Sequence, residues 1–361
     1  KFEVIFIQNM GHKNKETDKK NLKLTDLSSI GEFGFIEHIK KNVKIYNEST
    51  IVGIGDDSAV IKNSNLYSLI STDMLVEGVH FDLSYFPLKH LGYKAVVSNI
   101  SDICAMNGIC KQITVSIAVS NRFKLETLNE LYEGINLACK RYKVDLVGGD
   151  TTSSQKGLII SVTAMGVVDD KKICQRSGAK NNDLIIVSGK LGLSYLGLQV
   201  LEREKQVFLV NPNSKPDLEP YKELVERQLK PEARTDLIDF LDKNSIVPTS
   251  MIDVSDGLSS EIIHLCNSSD KGCVLYSDKI YKDQMLLKVC EEFNLDPISV
   301  IMSGGEDYEI MFTISSKDYE KLIEGQKDLH VIGHITNDKK TYLDLGNGSK
   351  SEIKSMGWKS F

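Results

Sequence analysis

Two adjacent aspartates, Asp56 and Asp57, follow the glycine-spaced apolar start of "GIGDDSAVI" (53–61). Gly-Asp-Asp-Ser is ordinary turn chemistry, because Asp bonds to nearby backbone and tolerates unusual backbone angles. Acidic residues recur, however, where other apolar runs end. Asp73 follows "LIST", Asp150 follows "LVGG", Asp253 follows "SMI" with Asp256 three residues on, and Glu306 with Asp307 follows "IMSGG". Asp102 joins them from a predicted helix. Each alone reads as a solvated strand end. Gathered at one edge of a sheet they would repel one another, and a hard divalent cation such as Mg²⁺, which prefers carboxylate and water oxygens, would relieve that repulsion. The set predicts a metal-phosphate site suited to phosphoryl transfer. Gly53, Gly55, Gly148, Gly149, Gly304 and Gly305 stand within a few residues of these acids. Glycine lets backbone N–H groups approach a phosphate closely, although such turns also arise for conformational reasons.

The chain's bulk properties narrow the classes. Its 361 residues suit two domains, and 41% hydrophobic with 26% charged residues is a soluble globular composition. A net charge of -6 argues against a nucleic-acid binder, which shows a concentrated basic face. Seven scattered cysteines with no C-x-x-C pair point to a reducing cytoplasm rather than a disulfide framework or zinc site. The apolar run "GLIISVTAMGVV" (157–168) is too short for a membrane span. A Walker loop is missing: the nearest match, "SGKL" at 188–191, has Leu184 in place of the first glycine and Leu191 in place of the hydroxyl. Any use of ATP must run through metal ions rather than a lysine-bearing loop.

The elements that would position the acids follow from periodicity. Helices are predicted over 32–43, 90–108 with Ser98 and Asp102 on one face, 125–143, 258–266 and 284–293. Strands are predicted over 66–75, 113–120, 144–152, 157–168, 184–189, 250–257 and 308–315. The polar stretch at 170–182 is the expected boundary, and the proline-rich 211–221 is a loop or excursion. The organisation is therefore an N-terminal extension (1–26), an N-terminal domain (27–172) and a C-terminal domain (173–361). The fold class is α/β (α+β), two domains with helices covering sheets.

Eight ordered blocks carry a family resemblance: "GIGDDSAVI", "STDMLVEGVHF", "YKAVVSNISDICAMNG", "GGDTT", "RSGAK", "IDVSDGL", "SGGEDYE" and the closing "GWKSF". In wording and order they resemble thiamine-monophosphate kinases over about residues 30 to 361. "GIGDD" is shared across the aminoimidazole-ribonucleotide-synthetase-like superfamily, whereas "SGGEDYE" with the C-terminal Gly-Trp is more particular. The resemblance implies direct, ATP-dependent phosphorylation of thiamine monophosphate to thiamine diphosphate with several Mg²⁺ ions. It also implies a homodimer whose N-terminal domains share a β-barrel, a C-terminal domain with helices packed on a mixed sheet, and a site between the two.

Transferred motif by motif, the resemblance makes Asp57, Ser71, Thr72, Asp73, Asp102, Asp150, Asp253 and Asp256 magnesium ligands. Tyr132, Gly149, Asp150, Arg176 and Ser255 become nucleotide contacts, and His80, Glu306 and Trp358 contact the thiamine phosphate. Asp57, Asp102, Asp150, Arg176 and Asp253 are the expected catalytic set. Plainer readings stand beside these: a surface salt bridge for Arg176, an interior histidine for His80, a core role for Tyr132, and a domain plug for Trp358. The chain departs from the family in ending "GWKSF", where a histidine usually precedes the final Phe, so any role of that histidine is lost. Other superfamily enzymes, or a silent nucleotide-binding scaffold, are the competing readings. A selenophosphate synthetase would want a reactive Cys near the N-terminus, and the first here is Cys104.

Overall fold

The computed structural model describes residues 27–323 and 328–354. The expected N-terminal extension and Trp358 lie outside the described residues. The first half contains α1 (Gly31–Asn42), β1 (Thr50–Val52), β2 (Ala59–Asn63), β3 (Leu66–Val76), α2 (Leu88–Ala105), β4 (Ile109–Val119), α3 (Leu125–Tyr142), β5 (Asp145–Ser153) and β6 (Ile159–Asp169). Its strands form one sheet in the order β1-β2-β3-β6-β4-β5, in which only the β4–β5 pair, bridged by α3, is parallel. Alternation along β6 buries Ile160, Val162, Ala164 and Val168 beneath α2, while Ser161, Thr163 and Met165 look out from the opposite face.

The second half holds β7 (Leu184–Ser188), α4 (Leu193–Val210), α5 (Lys222–Leu229), α6 (Thr235–Lys243), β8 (Ser250–Val254), α7 (Leu258–Ser268) and β9 (Gly272–Tyr276). After these come α8 (Gln284–Glu292), α9 (Pro297–Ser303), β10 (Glu309–Ile314), α10 (Ser316–Ile323), β11 (Leu329–Thr336), β12 (Thr341–Asp344) and β13 (Lys350–Glu352). The sheet order is β13-β12-β9-β11-β7-β10-β8, with β9 and β12 parallel and the other neighbours antiparallel. Two mixed sheets with covering helices match the expected fold class.

The two cores meet at β8 and β10. Met251, Ile310 and Phe312 pack with the first sheet and α2, whereas Ile252, Val254 and Met311 pack with α7, α4 and α8. The period of two therefore turns Asp253, in register with Met251, toward α2. Every predicted helix and strand is found, with shifted ends. Helix α2 stops at Ala105, three residues before Gly108, because Asn107 takes a left-handed conformation at φ +57°. β4 starts at Ile109 rather than 113, and β8 ends at Val254, before the Ser255–Gly257 turn.

Helices α2 and α3 cross at two glycines. A Cβ at Gly134 would strike the Lys89 carbonyl oxygen, and one at Gly92 would strike that of Leu131. Both obstacles are backbone, so neither can rotate away. Gly134→Ala is expected to cost at least about 3 kcal/mol, read as a lowered midpoint in urea unfolding.

Candidate active site

Helix α2 is nearly all buried, yet Lys94, Ser98, Ser101 and Asp102 lie along one face at positions i, i+4, i+7 and i+8. A buried polar stripe needs partners. Ser101 Oγ donates to Asp253 Oδ2 at 2.7 Å, and Lys94 Nζ meets Glu306 Oε1 at 2.9 Å. Ser71 Oγ donates to Asp102 Oδ2, and the backbone N–H of Asp73 donates to Asn99 Oδ1 at 3.1 Å. Thus α2 draws β3 from the first half and β8 with the 304–308 segment from the second onto one face.

Asp57, Asp102 and Asp253 each offer an oxygen within 4.8 Å of the others. Asp57 arrives on the β1–β2 turn and is clasped by the guanidinium of Arg176, Nε to Oδ2 at 3.1 Å and Nη2 to Oδ1 at 2.7 Å. Asp56 braces the same turn, accepting the N–H of Asp57 at 3.0 Å and that of Arg176 at 3.3 Å. The two neighbouring aspartates thus divide their work: one faces the cluster, the other fixes the loop.

The electrostatics are those of crowded, poorly solvated carboxyls. Burial and then the charge of Asp57 push Asp56 up to about 7 and Asp253 up to about 8. Burial, then Asp73, Asp253 and Asp57, drive Asp102 well above the usual carboxylate range. Asp256 rises to about 6 through burial and Glu32, and burial raises Asp73. Beneath them Glu261, also pushed well up by burial and then by Asp256 and Asp253, accepts the N–H of Asp256 at 2.8 Å. An oxygen-only donor set whose members raise one another's pKa fits a hard divalent cation.

The other expected residues divide into two groups. Ser71 and Asp73 share the cluster's face of β3. Ser255 and Asp256 follow β8 directly, and the Ser255 carbonyl accepts the N–H of Glu306 at 2.6 Å. A Cβ at Gly305 would collide with that carbonyl, so this glycine serves the closeness of two loops rather than a phosphate. His80 lies just beyond β3, its Nδ1 accepting the N–H of Val76 at 3.0 Å.

The structure does not bring Thr72, Tyr132, Gly149 or Asp150 to the cluster. Strand alternation turns the Thr72 side chain to the opposite face, where its hydroxyl bonds to the Val162 carbonyl at 3.1 Å and to Thr163 at 3.0 Å. Tyr132 packs on the first core, as its helical spacing alone suggested. Gly149 and Asp150 lie on edge strand β5, three strand spacings from β3 or about 14 Å across the sheet. Lys94, Asn99, Ser101 and Glu261 went unnoticed in the sequence. Their signal, polar residues inside mostly apolar helices, becomes legible only once those helices are known to be buried.

Comparison with known proteins bears on this geometry. Residues 55–168 match the model of the family described as AIR synthase related protein, N-terminal domain. The chain is 33% identical to a thiamine-monophosphate kinase of Aquifex aeolicus (strain VF5), covering 93% of this chain and 99% of that protein. The chain belongs to the thiamine-monophosphate kinase family. The family's kinase from Bacillus subtilis (strain 168) is 32% identical across 91% of this chain and 99% of its own length. A solved structure described as AaThiL complexed with AMPPCP and TMP aligns with a TM-score of 0.81 at 30% identity, over 94% of this chain and 100% of that one. Hydrogenase maturation protein HypE in complex with ATP shares the fold alone, at 15% identity with a TM-score of 0.64 over 80% of this chain and 84% of its own.

The raised carboxyls have a signed consequence for this family member without metal. Unfolded aspartates release their protons near pH 4, whereas folded Asp253 holds its own to about 8. Between these limits the folded state binds more protons, so the stabilisation is full below pH 4 and is lost as pH rises through 8. In chelator-treated protein at pH 8.5, Asp253→Asn should therefore raise stability by about 2 kcal/mol, with little change at pH 4.5. Urea unfolding at the two pH values measures the difference.

Proposed function

We propose that this chain transfers the γ-phosphoryl group of ATP to thiamine monophosphate, yielding thiamine diphosphate and ADP. The observation that carries the reading is the meeting of Asp57, Asp102 and Asp253 within 4.8 Å in a member of this kinase family. Support also comes from the relative whose structure contains AMPPCP, an ATP analogue, together with TMP.

In this reading Asp57, Asp102 and Asp253 hold magnesium, with Ser71, Asp73 and Asp256 completing the oxygen set. Thr72 could add only a backbone oxygen. Bound there, magnesium would neutralise phosphate charge on both substrates. Asp56 and Glu261 keep the two acid-bearing loops in place through backbone N–H groups. Arg176, whose Nε and Nη2 hold Asp57, has its other N–H groups for a transferring phosphate, and Ser255, directly after β8, is assigned to the nucleotide. His80, Glu306 and Trp358 are assigned to the thiamine phosphate. The acceptor oxygen is already anionic, so no strong general base is needed. Alignment of donor and acceptor with charge neutralisation is enough.

The proposal includes a homodimer and the division into domains at 27–172 and 173–361. Support comes from the face of the first sheet that bears no helix among the described residues, where Thr72, Thr163 and Thr114 stand in register and Met74 is 57% exposed. Its β1 and β5 edges are available for closure with a second copy. Roles for Gly149 and Asp150 at the nucleotide then require the β5 edge of one copy to serve the cluster of the other. The proposed setting is the cytoplasm, supported by seven free cysteines. Among the described residues no helix is long and apolar enough to cross a membrane.

Incubation with MgATP and thiamine monophosphate should give thiamine diphosphate and ADP in equal amounts. Asp57→Asn, Asp73→Asn and Asp102→Asn should each lower turnover by about 100-fold or more with the fold retained by circular dichroism. Wild-type turnover in all three would sink the metal-cluster mechanism. Light scattering should return twice the 40.3 kDa chain mass, and Thr163→Arg, which puts a charge on the open face, should halve it.

A further inference from the structure

Glu306 is held more firmly than a surface carboxylate needs to be. It takes a left-handed backbone conformation at φ +63°, as does Tyr308 at +52°, and such a pair of non-glycine residues persists only where surroundings over-determine it. The surroundings do. Glu306 N–H bonds to Ser255 O at 2.6 Å and Tyr308 N–H to Val254 O at 3.0 Å. Asp307 accepts the N–H groups of Gly192 and Ser194 at the start of α4, at 2.7 and 3.3 Å.

Two donors then fix the Glu306 side chain from behind. Lys94 Nζ lies 2.9 Å from Oε1, and Gln228 Nε2 donates to Oε2 at 2.9 Å. Ser194 Oγ donates to Gln228 Oε1 at 2.6 Å, which turns the amide's N–H₂ group toward the carboxylate. Lys94 also bonds to the Gln228 carbonyl at 3.1 Å and lies 5.5 Å from the centre of the Phe86 ring. The side chain of Lys94 is 2% exposed and that of Glu306 31%. The carboxylate is therefore partly exposed while both of its donors are buried. A buried Lys–Glu pair is a poor way to gain stability, because desolvation offsets the attraction. Its geometry is better suited to aiming an acceptor.

We infer that Lys94, seconded by Gln228, is a positioning residue that aims Glu306 at the exocyclic amine of the substrate's aminopyrimidine ring. This rests on the assignment of Glu306 to the bound thiamine monophosphate. An acceptor-only carboxylate is met by the end of the substrate that bears hydrogen-bond donors, not by its phosphate. The exocyclic amine is the neutral donor there. A fixed acceptor selects it over a carbonyl oxygen at the same ring position, which would leave two acceptors face to face.

The test compares wild type, Lys94→Met, Glu306→Gln and the double variant on thiamine monophosphate and on its analogue with a carbonyl in place of the exocyclic amine. Lys94→Met should raise KM for thiamine monophosphate at least tenfold, leave KM for ATP unchanged and change kcat less than threefold. It should also narrow the preference for the amine over the carbonyl analogue. In the double variant the Lys94 change should add less than twofold to the effect of Glu306→Gln, because it acts through that residue. If Glu306→Gln raises KM and Lys94→Met does not, or if the effects multiply, the role of Lys94 is overturned while the reading of Glu306 stands. If Glu306→Gln leaves KM unchanged, that reading falls and the inference with it. A wild type that treats both substrates alike overturns the choice of the amine. If Lys94→Met does not fold, Gln228→Met puts the same question from the second donor, and an unchanged KM overturns the anchoring.

Discussion

Three carboxylates within 4.8 Å of one another repel strongly in an interior where water screens them poorly. Much of the surrounding structure is arranged to tolerate that crowding. The Arg176 fork answers Asp57, Ser101 and Ser71 donate to Asp253 and Asp102, and protons are held on several neighbours far above their usual pH. A set of oxygens under such strain is stabilised by cations, and cations are what two phosphate-bearing substrates need between them. In the proposed mechanism the destabilising interaction and the catalytic one are the same.

Helix α2 makes the gathering possible because it is shared. One of its faces belongs to the first core, and its polar stripe meets β8 and the 304–308 segment of the second half. The close crossing of α2 and α3 at Gly92 and Gly134 fixes its height over the first sheet. Tyr93 and Tyr142 then tie the same helix pair to the second half through Glu232, at 2.9 and 2.5 Å. A displacement of α2 would separate Asp102 from Asp253 and Lys94 from Glu306 together. Site geometry and the packing between halves are therefore one problem.

Most elements near the site were legible because their patterns are strong: the alternation around β6, the amphipathic α3, the apolar runs ending in Asp73 and Asp253. Elements farther from it were harder to read. Strand β9, five residues of "GCVLY", and β13, three exposed residues, have too little pattern to announce themselves. Helix α4 carries an apolar "VFLV" at its exposed end, which blurs its stripe. Among site residues, the acids at strand ends could be picked out singly, but their supports could not. Lys94, Asn99 and Ser101 look like incidental polar residues until α2 is known to be buried.

Residue type and spacing alone determined the chemistry on offer: hard oxygen donors at strand ends, no lysine loop for phosphates, and no thiol or imidazole set for a soft metal. Hydrophobic period determined the local elements, since it depends only on neighbours a few residues apart. Only the tertiary structure decided which acids meet. Asp57, Asp102 and Asp253 are separated by 45 and 151 residues of chain, and their convergence depends on strand order, on the face each strand presents and on a buried helix between two sheets. Thr72 and Asp150 make the same point from the other side. They have suitable oxygens in fitting motifs, but a one-residue alternation and an edge-strand position leave their side chains away from the cluster in the single chain.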